Sequence, residues 1–365
     1  MKYRMCKTCV MDTTDPDIKF IGNGCTNCCP ARANYRKITK EKQKLKSIVK
    51  DIRKAGTGNK YDCVIGLSGG VDSTYVAYVV KKLHLRPLAV HFDNGWNSEL
   101  AVKNINKILE KLDIDLYTYV VDWEEFRDIQ LSFLKASTPD CEIPTDHAIY
   151  AVLYKTALKH GIKYILDGWN IETESVLPKK WSYGHDDWKY IKSIQKEFGT
   201  MKIKTFPYYT KFQKYIYKNI AHINRIHILN YVPYKKSEIK KLIKKQLGWR
   251  DYGDKHGESF YTKFYQNYIL PEKFGYDKRK MHLSSLIVSG QVTRNEALKI
   301  LEKPLYNTIE EKEKDIEYFC EKMQITKKEL DYYIKIPNKT YWDYPNYEND
   351  VFSNIWRKID ENYSK

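Results

Sequence analysis

From residue 61 to residue 168 the chain alternates short apolar runs with longer stretches of helical spacing. Tyr61–Leu67, Leu88–Phe92, Leu116–Val121 and Tyr164–Leu166 read as strands. Three of them run directly into turn-forming groups: Ser68-Gly69-Gly70, Asp93-Asn94-Gly95 and Asp167-Gly168. Between the runs, Ser73–Leu83 has helical spacing, and Glu99–Leu112 places Val102, Ile105, Ile108, Leu109 and Leu112 on one side. Two more helices are predicted at 123–135 and 145–160. Strands separated by helices of this length need right-handed crossovers, which predicts a parallel α/β sheet with helices on both faces.

The flanks follow other patterns. Residues 1–30 form a Cys/Gly/Asp-rich knuckle, and 31–57 are basic and helix-prone up to the break at Gly56-Thr57-Gly58-Asn59, as in a linker helix. The main domain is expected over 58–305. Within it, 170–260 is aromatic and basic with one further strand predicted at Ile226–Val232, and 261–305 is helical with a capping box at Thr293 and Glu296. Residues 306–365 read as a helical tail, with further boxes at Thr308/Glu311 and Thr326/Glu329.

The chain of 365 residues is 42% hydrophobic and 14% aromatic, 31 of its residues being Tyr, which excludes wholesale disorder. No apolar run approaches the ~18 residues of a membrane span. The polar stretch Met1–Cys9 lacks the apolar core of a secretory signal, so a cytoplasmic protein with reduced cysteines is expected. Lys+Arg number 63 and Asp+Glu 46, a net charge of +17 that favours anionic partners without choosing among nucleotide, nucleic acid, acidic membrane and acidic protein.

Five of the eight cysteines fall in the first 29 residues. Cys6-x2-Cys9, fifteen intervening residues and Cys25-x2-Cys28 have zinc-ribbon spacing. Each pair aims two thiolates at one point, and four thiolates leave no open coordination position. A structural Zn2+ on Cys6, Cys9, Cys25 and Cys28 is therefore expected, with Cys29 an alternative to Cys28.

The sharpest chemical signal is Ser68-Gly69-Gly70-Val71-Asp72-Ser73-Thr74, between an apolar run and a helix. Two glycines let backbone N–H groups close on an anion, and the helix N-terminus adds positive potential. The hydroxyls of Ser68, Ser73 and Thr74 can donate to phosphate, and Asp72 suits a Mg2+ between itself and the phosphates. The lysine of a Walker A loop is missing, and so is the G-x-G-x-x-G of a dinucleotide site.

This loop resembles the pyrophosphate-binding loop of the ATP pyrophosphatase (PP-loop) group. The resemblance implies an adenine-nucleotide alpha-hydrolase-like, Rossmann-like sheet and cleavage of ATP to AMP and pyrophosphate. It places the adenosine half at Asp93 and a second pyrophosphate/Mg2+ loop at Gly168, Asn170 and Glu172. Further segments are Cys9-Val10-Met11-Asp12-Thr13-Thr14, Ile143-Pro144-Thr145-Asp146-His147-Ala148, Gly248–Ser259 and Leu270–Ser285. With the loop they are similar to the N-acetyl sugar amidotransferases of bacterial lipopolysaccharide O-antigen and nonulosonic-acid (pseudaminic or legionaminic) pathways, over residues 3–305.

That resemblance implies a specific chemistry. AMP is transferred to the oxygen of an N-acetyl group, ammonia displaces it, and an acetamidino group remains. Lys255, Lys278 and Arg279 are then candidates to neutralise the phosphates, and His256, Glu258 and His282 to bind the sugar or move protons. The sequence has no G-x-C-x-G glutaminase elbow, and Lys2 stands where an N-terminal-amine nucleophile would need Cys. The resemblance implies that ammonia comes from a separate glutaminase with an ammonia-channelling, cyclase-like subunit. A tRNA-thiolating PP-loop enzyme is the main alternative and would need a catalytic cysteine. Only Cys141 is available, between Asp140 and Glu142, which makes nucleic acid the lesser expectation. A non-catalytic zinc-ribbon nucleotide-binding module is the third reading.

Overall fold

A computed structural model of the chain describes residues 2–253 and 257–349. Strands β1 (Phe20–Ile21) and β2 (Gly24–Cys25) form a small antiparallel hairpin in the knuckle. A five-stranded sheet follows: β3 (Cys63–Gly66), β4 (Pro87–Asp93), β5 (Asp115–Val120), β6 (Tyr164–Leu166) and β7 (Asn224–Ile226). Its order is β5-β4-β3-β6-β7 with every pair parallel. The connection direction reverses at β3, and open α/β sheets bind ligands in the crevice at such a point.

Burial on both faces explains the continuous apolar runs. Val64, Leu88, Val90 and Phe92 pack on one side with helices α5 (Trp123–Ala136) and α6 (Ile143–Lys159). Cys63, Ile65 and Ala89 pack on the other with α2 (Leu45–Ala55), α3 (Val71–Lys82), α4 (Glu99–Leu112) and the helix Lys236–Leu247. The fold is thus a parallel α/β sheet covered by helices on both faces, with a helical C-terminal region and a four-cysteine cluster in the N-terminal knuckle.

Three expectations shift. The strand foreseen at Ile226–Val232 uses Asn224–Ile226, because β6 offers only three residues to pair with; Ile228–Tyr231 coil into a 3-10 turn instead. The linker is two helices, α1 (Cys28–Thr39) and α2, and its joint is tied to the main body where Tyr35 and Lys42 donate to Glu172 (3.2 and 3.3 Å). The helices at Ile309–Met323 and Lys327–Lys335 pack into the main core, with Phe319 4.4 Å from Phe264 and 6.0 Å from Trp96 between ring centroids. The boxes at Thr293/Glu296 and Thr326/Glu329 form in full. Among the described residues no helix is long and apolar enough to cross a membrane.

Candidate functional site

The loop after β3 is held open from behind. Gly69 has φ +79°, and a Cβ there would lie 2.7 Å from the carbonyl oxygen of Ala101, so only glycine fits between the loop and α4. The indole N–H of Trp249 donates to the Gly69 carbonyl (2.9 Å), and the Val71 amide donates to the Tyr252 hydroxyl (3.3 Å). Buried Asn104 exchanges two 2.8 Å bonds with the backbone of Arg250, fixing this strap to α4. The Gly248–Tyr252 part of the segment singled out in the sequence is therefore scaffolding for the loop.

In front of the loop, over the carboxyl ends of β3, β4 and β6, lies a cavity of about 470 Å3. Ser68, Asp72, Ser73, Gly168 and Glu258 line it, together with His91, Asn94, Asp146 and Glu174. Ser68 and Ser73 hydroxyls are 3.1 Å apart, and the buried Tyr234 hydroxyl donates to Asp72. Burial, then the Asp72 charge, raises the Tyr234 phenol well above its ordinary value, so it stays a donor and aims the carboxylate. His91 bonds the Leu67 carbonyl through Nδ1 (2.9 Å) and the Asn97 amide through Nε2 (3.2 Å). The Leu67 carbonyl can only accept, so His91 Nδ1 is the donor in that bond. Burial pushes the Asp146 carboxyl up to about 6, against the pull of His185.

Other nominated residues are elsewhere. Thr74 is fully buried in α3 and does not line the cavity. Asp93 closes the loop after β4, accepting from Gly95 N (3.0 Å) and Asn97 Nδ2 (3.1 Å). Asn170 caps the turn Ile171–Glu174, and Glu172 serves the α1–α2 joint. Arg279 is occupied by Asp277 (2.8 Å) and the Lys303 carbonyl (2.7 Å), so it does not face the phosphates. Lys278 is 9% exposed, and neither it nor His282 lines this cavity. Lys255 and His256 lie outside the described residues.

The cations that do flank the loop come from an unforeseen place. Lys236 and Lys240, on the helix Lys236–Leu247, share a small pocket with Ser68, Gly70, Ser73 and Glu258. The sequence signal was present but diluted, since that helix carries five lysines among its twelve residues. For Mg2+, the carboxylates of Asp72, Glu174 and Glu258 supply hard oxygen donors. Among the described residues they do not converge into a ready-made metal cluster, so the ion fits only together with phosphate oxygens.

The four thiols do converge. Cys6, Cys9, Cys25 and Cys28 are buried, and their sulfurs lie within 4.8 Å of one another. Separations of 3.9, 3.7 and 3.6 Å match the ~3.8 Å edge of a tetrahedron with Zn–S bonds of ~2.3 Å. Cys29 is exposed and outside the cluster. Its sulfur would sit 2.4 Å from a Cβ at Gly24, which is why glycine precedes Cys25. The donor set is compatible with zinc.

The short segment Glu258–Phe260 reaches into the nucleotide cavity by bonding alongside the loop after β4: Ser98 N to Glu258 O (2.9 Å) and Phe260 N to Trp96 O (3.0 Å). Sheet, loop and cavity together define a PP-loop protein of the NAD synthase type, and the NAD synthase family matches residues 41–136. Residues 258–360 match the family described as LPS biosynthesis protein WbpG-like, C-terminal domain. The two matches in one chain support an N-acetyl sugar amidotransferase-type PP-loop family. It is also 25% identical over 166 residues to an uncharacterised protein of Methanocaldococcus jannaschii, covering 45% of this chain and 58% of that relative's length. Two solved structures are similar at 15% identity. One is a predicted subunit of tRNA methyltransferase from Methanocaldococcus jannaschii (TM-score 0.29; 49% of this chain, 74% of that one). The other is NMN synthetase from Francisella tularensis (TM-score 0.30; 60% and 89%). Likenesses at those scores carry no argument about activity.

Proposed function

We propose that the protein is an ATP-dependent amidotransferase that converts the N-acetyl group of a sugar into an acetamidino group, releasing AMP and pyrophosphate. The observation that supports it best is the meeting of two segments in one cavity. The Ser68–Ser73 loop lies within the NAD synthase match, and Glu258, Ser259 and Thr262 come from the WbpG-like match. A phosphate grip and a sugar-pathway segment thus face the same space.

The chemistry then follows from the residues. Backbone amides at the start of α3 and the Ser68 and Ser73 hydroxyls hold the leaving pyrophosphate, with Lys236 balancing its charge while Lys240 is paired with Asp251 (3.1 Å). Asp72 is aimed by Tyr234 toward the same place, where Mg2+ bound with the nucleotide would neutralise phosphate charge. The amide oxygen of the acceptor attacks the α-phosphorus, pyrophosphate leaves, and the amide nitrogen loses its proton. Ammonia adds to the resulting imidate carbon and AMP departs, so nitrogen replaces oxygen. Asp146, with its raised carboxyl, and Glu258 stand ready to take protons released in these steps. Ammonia supplied by a separate glutaminase and a cyclase-like channelling subunit completes the reading, with a cytoplasmic setting. Among the described residues no cysteine lines the cavity, and Cys141 is buried with its thiol pushed up by that burial, which weighs against tRNA thiolation.

The test is incubation with ATP, Mg2+, ammonium and a panel of N-acetylated sugars. The expected result is AMP and a sugar in which NH replaces O. AMP release without an amidino product at high ammonium overturns the reaction. Turnover with glutamine and this chain alone overturns the external ammonia supply.

A further inference from the structure

The turn Ile171–Glu174 belongs to two neighbourhoods at once. Glu174 lines the nucleotide cavity and also the small pocket beside Ser68 and Ser73 that Lys236 reaches. Glu172, in the same turn, lines neither and is 5% exposed. A carboxylate buried that far stays charged only when it is paired. Its Oε2 accepts from the Tyr35 hydroxyl (3.2 Å) and the Gln291 side-chain amide (3.4 Å), and its Oε1 takes the Lys42 ammonium (3.3 Å). Its backbone carbonyl accepts from the Ser289 hydroxyl (2.8 Å). Burial, then the Glu172 charge, pushes the Tyr35 phenol up to about 12, so it stays a donor. The Gln291 amide also donates to the Tyr234 carbonyl (3.3 Å), and Tyr234 is the residue whose hydroxyl aims Asp72. Asp72 and Glu174, two of the carboxylates offered to a nucleotide-bound cation, are thus both braced from Glu172.

The groups that hold Glu172 come from the supports of the cysteine knuckle. Tyr35 lies in α1, whose first residue is Cys28 of the thiol cluster, and Lys42 follows at the α1–α2 joint. Ser289 and Gln291 lie between the helices Lys278–Val288 and Arg294–Leu301, and this stretch is the surface on which the knuckle docks. Arg294 donates to the carbonyls of Cys6 (3.0 Å) and Cys9 (3.1 Å). Val10 N donates to the Ser284 hydroxyl (3.2 Å), and the adjacent Ser285 hydroxyl accepts from Val176 N (3.0 Å), just past the turn that carries Glu172. The carbonyls taken by Arg294 belong to two of the four clustered cysteines. A metal closing the four thiols fixes those carbonyls and the start of α1 relative to one another; without it the thiols exert no such constraint.

We propose that the cysteine knuckle and the nucleotide cavity are coupled binding sites, with Glu172 the positioning residue between them: metal in the knuckle tightens ATP, and ATP tightens the metal. Two states differ. In the docked state Tyr35 and Lys42 hold Glu172 and Arg294 holds the cysteine carbonyls; in the undocked state both sets are released. Zinc favours the docked state because its ligands supply the clasped carbonyls and begin α1. ATP favours it because Asp72 and Glu174 meet the nucleotide's cation together only when the turn is braced. Ligands that favour the same state strengthen each other by one factor, whichever binds first. The proposal rests on the cavity taking ATP and is independent of the acceptor and of the amidotransferase chemistry.

The test is a thermodynamic cycle on the full chain. Calorimetry gives the Kd for ATP with Mg2+ in zinc-loaded and zinc-free protein, and equilibrium competition with a chromogenic chelator gives the Kd for Zn2+ with and without ATP. Zinc should tighten ATP about tenfold, within the roughly 5- to 150-fold usual for coupled sites, and ATP should tighten zinc by the same factor. Tyr35→Phe/Lys42→Met should still bind zinc but lose the coupling, and Lys42→Arg should keep it. Arg294→Met severs the docking without touching Glu172 and should lose the coupling too, which decides the matter where the double variant does not fold. If zinc-free protein unfolds, the zinc-loaded variants carry the test: each should bind ATP about tenfold more weakly than the parent, and parental ATP affinity in both overturns the proposal. A folded parent whose ATP affinity ignores zinc, or whose zinc affinity ignores ATP, overturns the coupling. Coupling retained in both variants overturns the path through Glu172. A parent that binds no ATP overturns the nucleotide reading itself, and the proposal with it.

Discussion

Two glycines with nearly the same backbone conformation allow the strain of the phosphate loop to be measured. Gly69 has φ +79° and Gly58 has φ +82°. Alanine at either position bears the left-handed penalty of about 1–2 kcal/mol. At Gly58 a new Cβ meets nothing within 4 Å, so Gly58→Ala should cost that penalty and no more. At Gly69 the Cβ would lie 2.7 Å from Ala101 O, and relief to an ordinary 3.4 Å contact moves the loop or α4 by 0.7 Å. Overpacking of this kind adds about 1–3 kcal/mol, so Gly69→Ala should cost about 2–5 kcal/mol in all. Urea unfolding of the two variants beside the parent reads the difference. The same displacement carries loop amides away from the phosphate. Loss of one charge-assisted bond of about 1.5–3 kcal/mol weakens ATP binding roughly 10- to 100-fold in calorimetry. Gly58→Ala should bind ATP normally. If Gly69→Ala proves as mild as Gly58→Ala and binds ATP equally well, the loop is not wedged against α4 and the account of the phosphate grip fails.

Other expectations are as direct. Cys28→Ser should lose zinc measured by elemental analysis, and Cys29→Ser should keep it, because only the former sulfur lies in the cluster. Lys236→Gln should raise the Kd for ATP about tenfold through lost charge pairing, with an unchanged melting temperature. Asp128 is buried, which by itself would raise its carboxyl. The amides of Met201 (2.9 Å) and Thr200 (3.0 Å), the Thr200 hydroxyl and the Gln195 amide hold it below its ordinary value. A carboxyl depressed in the folded state contributes stability above its unfolded value, and that contribution is lost as pH falls through the folded one. Asp128→Asn should therefore be less stable at pH 7 and should flatten the acid limb of a stability-against-pH curve.

What the chain disclosed about itself depended on how local the cause was. The strands β3, β4 and β6 stood out because a parallel sheet buried on both faces writes unbroken apolar runs. The loop Ser68–Ser73 and the four cysteines were legible because backbone amides and thiolates need particular residues at particular spacings. Residues 170–247 were opaque because their shape is imposed from outside. Glu125, on α5, takes the amides of Lys204 (2.9 Å), Thr205 (3.0 Å) and Phe206 (2.8 Å), and Asp128 organises the residues just before them. Neither partner marks the other in sequence. The same applies to Lys236 beside the loop and to His91 in the cavity.

The cysteine knuckle has its seat on residues 280–294, far from it in sequence. Arg294 donates to the carbonyls of Cys6 (3.0 Å) and Cys9 (3.1 Å), Val10 N donates to Ser284 (3.2 Å), and Lys280 pairs with Asp12. The Cys6–Arg294 contact spans 288 positions. A metal ion bound by these four thiols could be taken up during synthesis, long before the surface on which the knuckle docks has left the ribosome. Loading of a metal and docking would then be separate events, and the docking ties the earliest part of the described chain to one of the later ones. A nascent chain halted before Ser284 should already be metallated yet remain open to protease at Cys9–Asp12, which only the completed clasp shields.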